Sequence, residues 1–241
     1  MNDTREFFHI EYRFVFKPGL EKKIDLRLDK RTLDLVSTKK ASHRKWTKLS
    51  FLKCQNCPLD ETQHANCPTA MNLVGVVDFF RDMVSFEKVD LFIRSEEREY
   101  VKHTTLQQGI SSLVGICMVA SGCPIMGKLK PMVRYHLPFA TLKETQYRVI
   151  SMYLLAQYFL YKRDMKPDWE LKDLVKMYGD IQIVNKGFFR RLAHIKIGDA
   201  TLNALIKLDI FAKHVSDCIS QDVLDEMEHL FAGYFVREDN A

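Results

Sequence analysis

Residues 8–16, FHIEYRFVF, set apolar Phe8, Ile10, Tyr12, Phe14 and Phe16 against polar His9, Glu11 and Arg13. Strict alternation with a period of two puts one set of side chains on each face of a strand. A strand with a face this apolar must bury it, so the rest of the chain has to supply a core beside it. Lys17-Pro18-Gly19 is a turn signal. Ile24, Leu26 and Leu28 then alternate with Asp25, Arg27 and Asp29 to give a second strand, and Leu33 and Leu35 offer a short third one. An antiparallel meander is expected. Residues 86–93, FEKVDLFI, return to strand character through Val89, Leu91 and Ile93.

Helical patterns follow Pro68 (TAMNLVGVVDFFRDMV) and dominate from about Thr104 onward. Thr141 and Glu144 form a T-x-x-E capping box before an apolar run, which predicts a helix from Leu142 to about Arg163 closed off by Pro167. Further helices are expected from Trp169 to about Ile183, over FFRRLAHI between breaks at Gly187 and Gly198, and over residues 200–219. The last of these carries Leu205, Leu208, Ala212, Val215 and Ile219 on one face. A final helix over 221–235 is expected to turn Val223, Met227, Leu230, Phe231 and Tyr234 inward. The fold class is therefore α+β, an N-terminal antiparallel β-meander followed by a mainly helical C-terminal half. The chain is read as a single α+β domain, residues 1–241, β-rich over 1–100 with a cysteine loop at 53–68 and helical over 101–241. Its length of 241 residues can bury a sizeable core, and 46% hydrophobic with 28% charged residues is ordinary for a globular protein.

Thr104–Gly127 carries no charge, but its first part is polar and Gly109, Gly115, Gly122 and Pro124 interrupt it. A buried central helix is expected there, with no membrane span. The N-terminus has early acidic residues and no apolar stretch of the secretory type, so a cytoplasmic, reducing location is expected. In such a compartment clustered cysteines point to metal or catalysis more than to disulfides.

The cysteines are the chemical feature of the chain. Cys54 and Cys57 form a C-x2-C pair, a spacing that lets two thiolates face one ion from a tight turn, and Cys67 follows closely. Cys123, in SGCP after the apolar helix, is the fourth candidate, with Gly122 placed to end that helix. Cys57-Pro58, Cys67-Pro68 and Cys123-Pro124 share a Cys-Pro step. A cysteine at a helix N-cap with proline at N1 holds its sulfur near free backbone N–H groups, which favours the thiolate a metal needs. The metal ligands read from the sequence are Cys54, Cys57, Cys67 and Cys123, and the cofactor is zinc, with an iron–sulfur cluster as the alternative. The competing readings are plain reduced thiols and a redox-active pair; a thiolate-ligated haem finds no further support. His64, His103, Cys117 and His136 are other candidate ligands, although Cys117 and Cys218 read as buried core thiols.

Arg134, His136, Glu144 and Arg148 could line an active-site loop, with His136 as a base or ligand. The simpler reading is that Glu144 caps its own helix and His136 packs against the loop. Asn185, Arg190, Arg191, Asp199 and Asn203 could form a polar pocket, although Asp199 is better explained as a cap and the arginines as solvent-facing. Lys39, Lys40, His43, Arg44, Lys45 and Trp46 could touch a polyanion, but no nucleic-acid motif accompanies them and the net charge is only +5. Phosphate-loop, dinucleotide, H-E-x-x-H and G-x-S-x-G motifs are absent, so no catalytic residue is assigned.

WTKLSFLKCQNCPL, ANCPTAMNL, SGCP, YHLPFATLKETQYR and SMYLLAQYF resemble segments of an uncharacterised bacterial family defined as a domain of unknown function. The resemblance spans most of the chain. It implies a bacterial, cytoplasmic protein and brings no catalytic residues with it. The function expected is metal binding, through a structural four-cysteine zinc site, in a binding or scaffold protein with an unidentified protein partner. The alternative is a redox or metalloenzyme with an iron–sulfur cluster or an open zinc site at the same cysteines.

Overall fold

A computed structural model of the chain describes residues 6–17, 19–36, 44–220 and 224–235, the side chains of 218–220 excepted. The alternation over residues 8–16 becomes strand β1 (Phe7–Phe16), which pairs antiparallel with β2 (Glu21–Asp29). On its other side β1 pairs antiparallel with β3 (Lys88–Arg94), and β4 (Glu99–Thr105) pairs with β3, giving the sheet order β2-β1-β3-β4. The third strand expected at Leu33 and Leu35 is not one. Leu33 adopts φ 57, which breaks the extended backbone, and only a single bridge joins Leu35 to Leu28.

Phe8, Ile10, Tyr12, Phe14 and Phe16 are all buried, as the period-two pattern requires. On the opposite face aromatic rings lie under cations: Arg13 sits 3.8 Å from the Phe92 ring centroid and Arg27 3.4 Å from that of Phe7.

The helices are α1 (Pro68–Phe79), α2 (Leu106–Val119), a short α3 (Lys130–Arg134), α4 (Leu142–Tyr161), α5 (Lys172–Ala193), α6 (Asp199–Ser220) and a single turn α7 (Asp225–Glu228). Helix α2 is the pivot. It packs on β3, α1 and α6, and α5 runs along α6. Leu106, Ile110, Leu113, Val114 and Cys117 of α2 are fully enclosed, so the uncharged 104–127 stretch is the expected central helix. No helix among the described residues is long and apolar enough to cross a membrane.

Gly109 explains how α2 reaches the sheet. A Cβ there would lie 2.6 Å from Leu91 Cδ2 and 2.8 Å from Phe14 Cε1. Gly109→Ala is expected to lower stability by about 1–3 kcal/mol through overpacking, measured as a shift of the urea midpoint with an unchanged slope.

Two helix boundaries differ from expectation. Gly187 does not break α5, which continues to Ala193, because the glycine serves a close contact described below. The C-terminal segment forms α7 and a 3-10 turn over His229–Tyr234 instead of one helix. Leu230, Phe231 and Tyr234 are exposed there rather than buried. Val223 lies outside the described residues, and so does the side chain of Ile219.

Candidate functional site

The loop that carries Cys54, Cys57 and Cys67 is pinned at both ends. The Cys67 N–H donates to the Thr47 carbonyl (2.8 Å) and the Leu49 N–H to the Ala65 carbonyl (3.1 Å), so the segment leaves and returns at the same place. Between them Leu52 takes φ 47, a left-handed conformation that a branched side chain adopts only when its surroundings hold it there. The chain then turns again, with the Cys57 N–H donating to the Cys54 carbonyl at 3.0 Å. This is the tight turn that the C-x2-C spacing called for. Asn56 fastens that turn to α5, its Nδ2 donating to the Asp180 carbonyl (3.0 Å) and to Asp180 Oδ1 (3.1 Å).

Cys67 and Cys123 come together because the start of α1 meets the end of α2. Thr69 and Ser121 join hydroxyls at 2.8 Å, and Asn72 Nδ2 donates to the Cys117 and Ala120 carbonyls, each at 3.2 Å. Those carbonyls belong to the last turn of α2, where helical partners run out. Gly122 has φ 84, and Cys123 follows it with its N–H on Ser121 Oγ and its carbonyl accepting from the Gly127 N–H.

Cys67 is the N-cap of α1 with Pro68 at N1. Its sulfur makes no cap hydrogen bond of ordinary geometry, yet the N–H groups of Ala70 and Thr69 still pull its pKa down against the stronger upward push of burial. The expected Cys-Pro position is met there but not at Cys123, where the 3-10 turn over Met126–Leu129 takes Ile125 as its N-cap. Nor is it met at Cys57. The residues after Pro58 form no helix, so no free helical N–H groups wait beside that sulfur.

The four thiols share one neighbourhood. Burial pushes the Cys54 thiol up to about 11; Cys67 adds to that push, and Cys57 and Cys123 contribute smaller amounts. Cys67 is buried, and Cys54, Cys57 and Cys123 are half-buried. The five described cysteines are free thiols. As the side chains stand, no three His, Cys, Asp or Glu among the described residues are gathered closely enough to hold an ion.

The residue that sequence reasoning misplaced is Arg191. Expected at the surface, it is 1% exposed and lies beside the thiols. Its Nη1 donates to the Trp46 carbonyl (2.6 Å) and the Lys48 carbonyl (2.8 Å), and its Nη2 to the Leu52 carbonyl (3.5 Å). Those three carbonyls frame the cysteine loop, which is why the guanidinium can be enclosed. Its Nε is buried without a partner among the described residues. Burial lowers the Arg191 pKa, and the groups that act the other way are Cys67, Cys54 and Cys57. Gly187, one turn before Arg191, lets α5 approach the loop: a Cβ there would lie 2.8 Å from Cys54 Sγ. Glycine and arginine four apart on one helix face was the available signal.

The other candidates disperse. His64 is exposed, and His103 is held by Asp90 at 2.8 Å on the sheet. Cys117 is a core thiol pushed by burial to about 12, while the side chain of Cys218 lies outside the described residues. Asp199 does not serve its own helix alone: it accepts from the Ser85 N–H (2.8 Å), the Ser85 hydroxyl (2.7 Å) and Asn203 Nδ2 (3.1 Å). Trp46 is buried, and Arg44 forms a two-bonded pair with Asp78. Two of those six residues are thus committed to the fold, Lys45 is exposed, and Lys39, Lys40 and His43 lie outside the described residues.

Glu144 closes the capping box with Thr141, as expected. Arg148 donates to the Tyr135 carbonyl at 2.6 Å, and Arg134 lies 5.1 Å from the Phe8 ring centroid. His136 sits apart from the cysteines. Its Nε2 meets the Tyr12 hydroxyl at 2.9 Å and the Ser112 hydroxyl at 3.2 Å, and those two hydroxyls are 2.8 Å apart. Burial, and then the Arg148 charge, push its imidazole down to about 3, so it is neutral in the folded chain. Below about pH 6.5 the unfolded chain takes up a proton that the folded chain refuses, so stability falls as the pH drops from there toward 3. Because the residue keeps some exposed surface, the loss between pH 7 and pH 4.5 is expected to be only about 2 kcal/mol. His136→Gln keeps a polar partner for Tyr12 but does not titrate. Urea unfolding at the two pH values should show a flatter dependence for that variant.

No curated protein and no solved structure shows significant similarity to this chain. One family does match, over residues 10–232, and the match takes in both the sheet and the cysteine loop; the chain belongs to that family, described as a domain of unknown function (DUF6901).

Proposed function

We propose that this is a metal-binding protein in which Cys54, Cys57, Cys67 and Cys123 hold one zinc ion, and that it works as a binding or scaffold protein in the cytoplasm. The observation that carries this reading is Arg191. A fully enclosed guanidinium is costly unless an opposite charge compensates it. No carboxylate pairs with Arg191 among the described residues, and the titratable groups that act on it are thiols. Four thiolates on Zn2+ carry a net charge of −2, which a single buried cation partly offsets. As free thiols the same side chains offer no such compensation. Rotamer changes at the half-buried Cys54, Cys57 and Cys123 would close the set around an ion.

Four protein ligands leave no open coordination position, so the zinc is structural. It would join the cysteine loop to the start of α1 and the end of α2, and so set the surface offered to a protein partner. The alternative, a redox or metalloenzyme with an iron–sulfur cluster or an open zinc site at the same cysteines, would use His136, Arg134 and Arg148 as nearby acid–base or anion-binding groups, and those three make their contacts elsewhere.

Single serine variants test the assignment. Each of Cys54→Ser, Cys57→Ser, Cys67→Ser and Cys123→Ser is expected to lose bound zinc on dialysis against a moderate chelator. Cys117→Ser, in the core but outside the set, is expected to keep it. Full retention in Cys123→Ser with loss in His64→Ala would replace the fourth ligand.

A further inference from the structure

A second cavity lies away from the thiols, walled by α2, α5, α6 and the segment from Met126 into the start of α4. Its volume is about 280 Å³. Since a cavity of about 150 Å³ accepts benzene, this one has room for roughly a dozen non-hydrogen atoms. Ile116, Val119, Leu208, Phe211 and Val215 make its walls apolar, and no aspartate or glutamate lines it.

Three polar groups on those walls lack what they are built to bind. Arg148 is half-buried and forms no ion pair with any described carboxylate. Among the described residues only its Nη2 is engaged, by the Tyr135 and Met132 carbonyls, and the neighbouring Glu144 is held in its own capping box. Tyr178 is 5% exposed, and its hydroxyl makes no hydrogen bond to a described residue. Asn185 is 2% exposed, and its Oδ1 is buried without a partner among the described residues. Arg148 and Tyr178 both line this one cavity. Lys207 adds a second cation to the lining. A cation and a hydroxyl donor set in an apolar cavity are the recognition elements of an anion that carries a hydrocarbon body.

We propose that this cavity binds a small apolar monocarboxylate, with the carboxylate on Arg148 and Tyr178 and the hydrocarbon along α2 and α6. The orphaned Asn185 Oδ1 would accept from a hydroxyl or N–H on that body. This site goes beyond the metal reading and does not depend on it, because none of its residues is one of the four cysteines.

Calorimetric titration with octanoate and with 1-octanol tests it. Octanoate is expected to bind once per chain, at least tenfold more tightly than octanol. Arg148→Met should weaken octanoate by tenfold or more and leave octanol unchanged. Tyr178→Phe, which removes only the hydroxyl, should weaken octanoate several-fold and keeps the test intact if the arginine variant fails to fold. Leu208→Trp, which fills the cavity, should abolish both. Equal binding of the two probes, no saturable binding of octanoate, or octanoate binding that Tyr178→Phe and Leu208→Trp both leave unchanged would overturn the proposal.

Discussion

Arg191→Met is expected to lower folding stability by about 3–5 kcal/mol, the largest loss from any single substitution considered for this chain. Methionine fills most of the space but returns nothing to the Trp46, Lys48 and Leu52 carbonyls that the guanidinium satisfies. The bond to the Trp46 carbonyl is buried and those to Lys48 and Leu52 are part-buried, and a buried carbonyl left without a donor costs about 1–3 kcal/mol. The packing of Arg191 between Phe51 and Phe188, with centroids at 5.8 Å and 5.6 Å, is only partly replaced. Arg191→Lys should recover part of the loss. It keeps the charge, but a point ammonium does not reproduce the fork that reaches three carbonyls. Chemical denaturation of the three proteins side by side gives the order wild type, lysine, methionine. An equal stability for all three would mean that the loop does not depend on this residue.

Gly187→Val is expected to destabilise by about 3 kcal/mol and to weaken metal uptake with it. The first added carbon would fall 2.8 Å from Cys54 Sγ, so that thiol must swing away, while the Cys54 Cβ and Cα, at 3.7 Å and 3.8 Å, stay in ordinary contact. No rotamer avoids the contact, because the backbone fixes the Cβ, and valine's two methyl groups add bulk beside it. Gly179 lies on the same helix with nothing within 4 Å of the position its Cβ would take. Gly179→Ala should therefore be neutral or stabilising by up to about 1 kcal/mol. Thermal melts of the pair, with and without added zinc, separate helix propensity from contact with the cysteine loop. If the valine variant melts like wild type, the close approach of α5 to Cys54 is not a constraint.

The sequence announced those parts whose physics is local. The ten residues of β1 alternate in burial because one face is packed and the other is not, and the Thr141–Glu144 box is a contact between residues three apart. Strand β4 was hidden. EYVKHTT lies at the sheet edge with mostly exposed side chains, and without a buried face there is no alternation to read. Gly187 misled for a related reason. A glycine in a helical pattern reads as a break, while its role here depends on a sulfur brought in from residue 54. The same holds for Arg191, whose acceptors lie near residues 46–52. Charge predicts exposure until distant carbonyls are folded over it. The four cysteines were singled out by local signals, their spacing and proline neighbours. The Thr69–Ser121 and Asn56–Asp180 contacts that fix the segments carrying them join residues far apart in sequence.

The central claim is that four thiols and a buried arginine form a metal centre. Elemental analysis of the chain purified without oxygen, with an absorption spectrum of the same sample, tests it most directly. The expected result is about one zinc per chain and no visible band. Iron with sulfide and a broad absorption near 400 nm would assign the same ligands to a cluster. No bound metal, even after incubation with zinc under reducing conditions, would contradict the claim and return the four cysteines to the core.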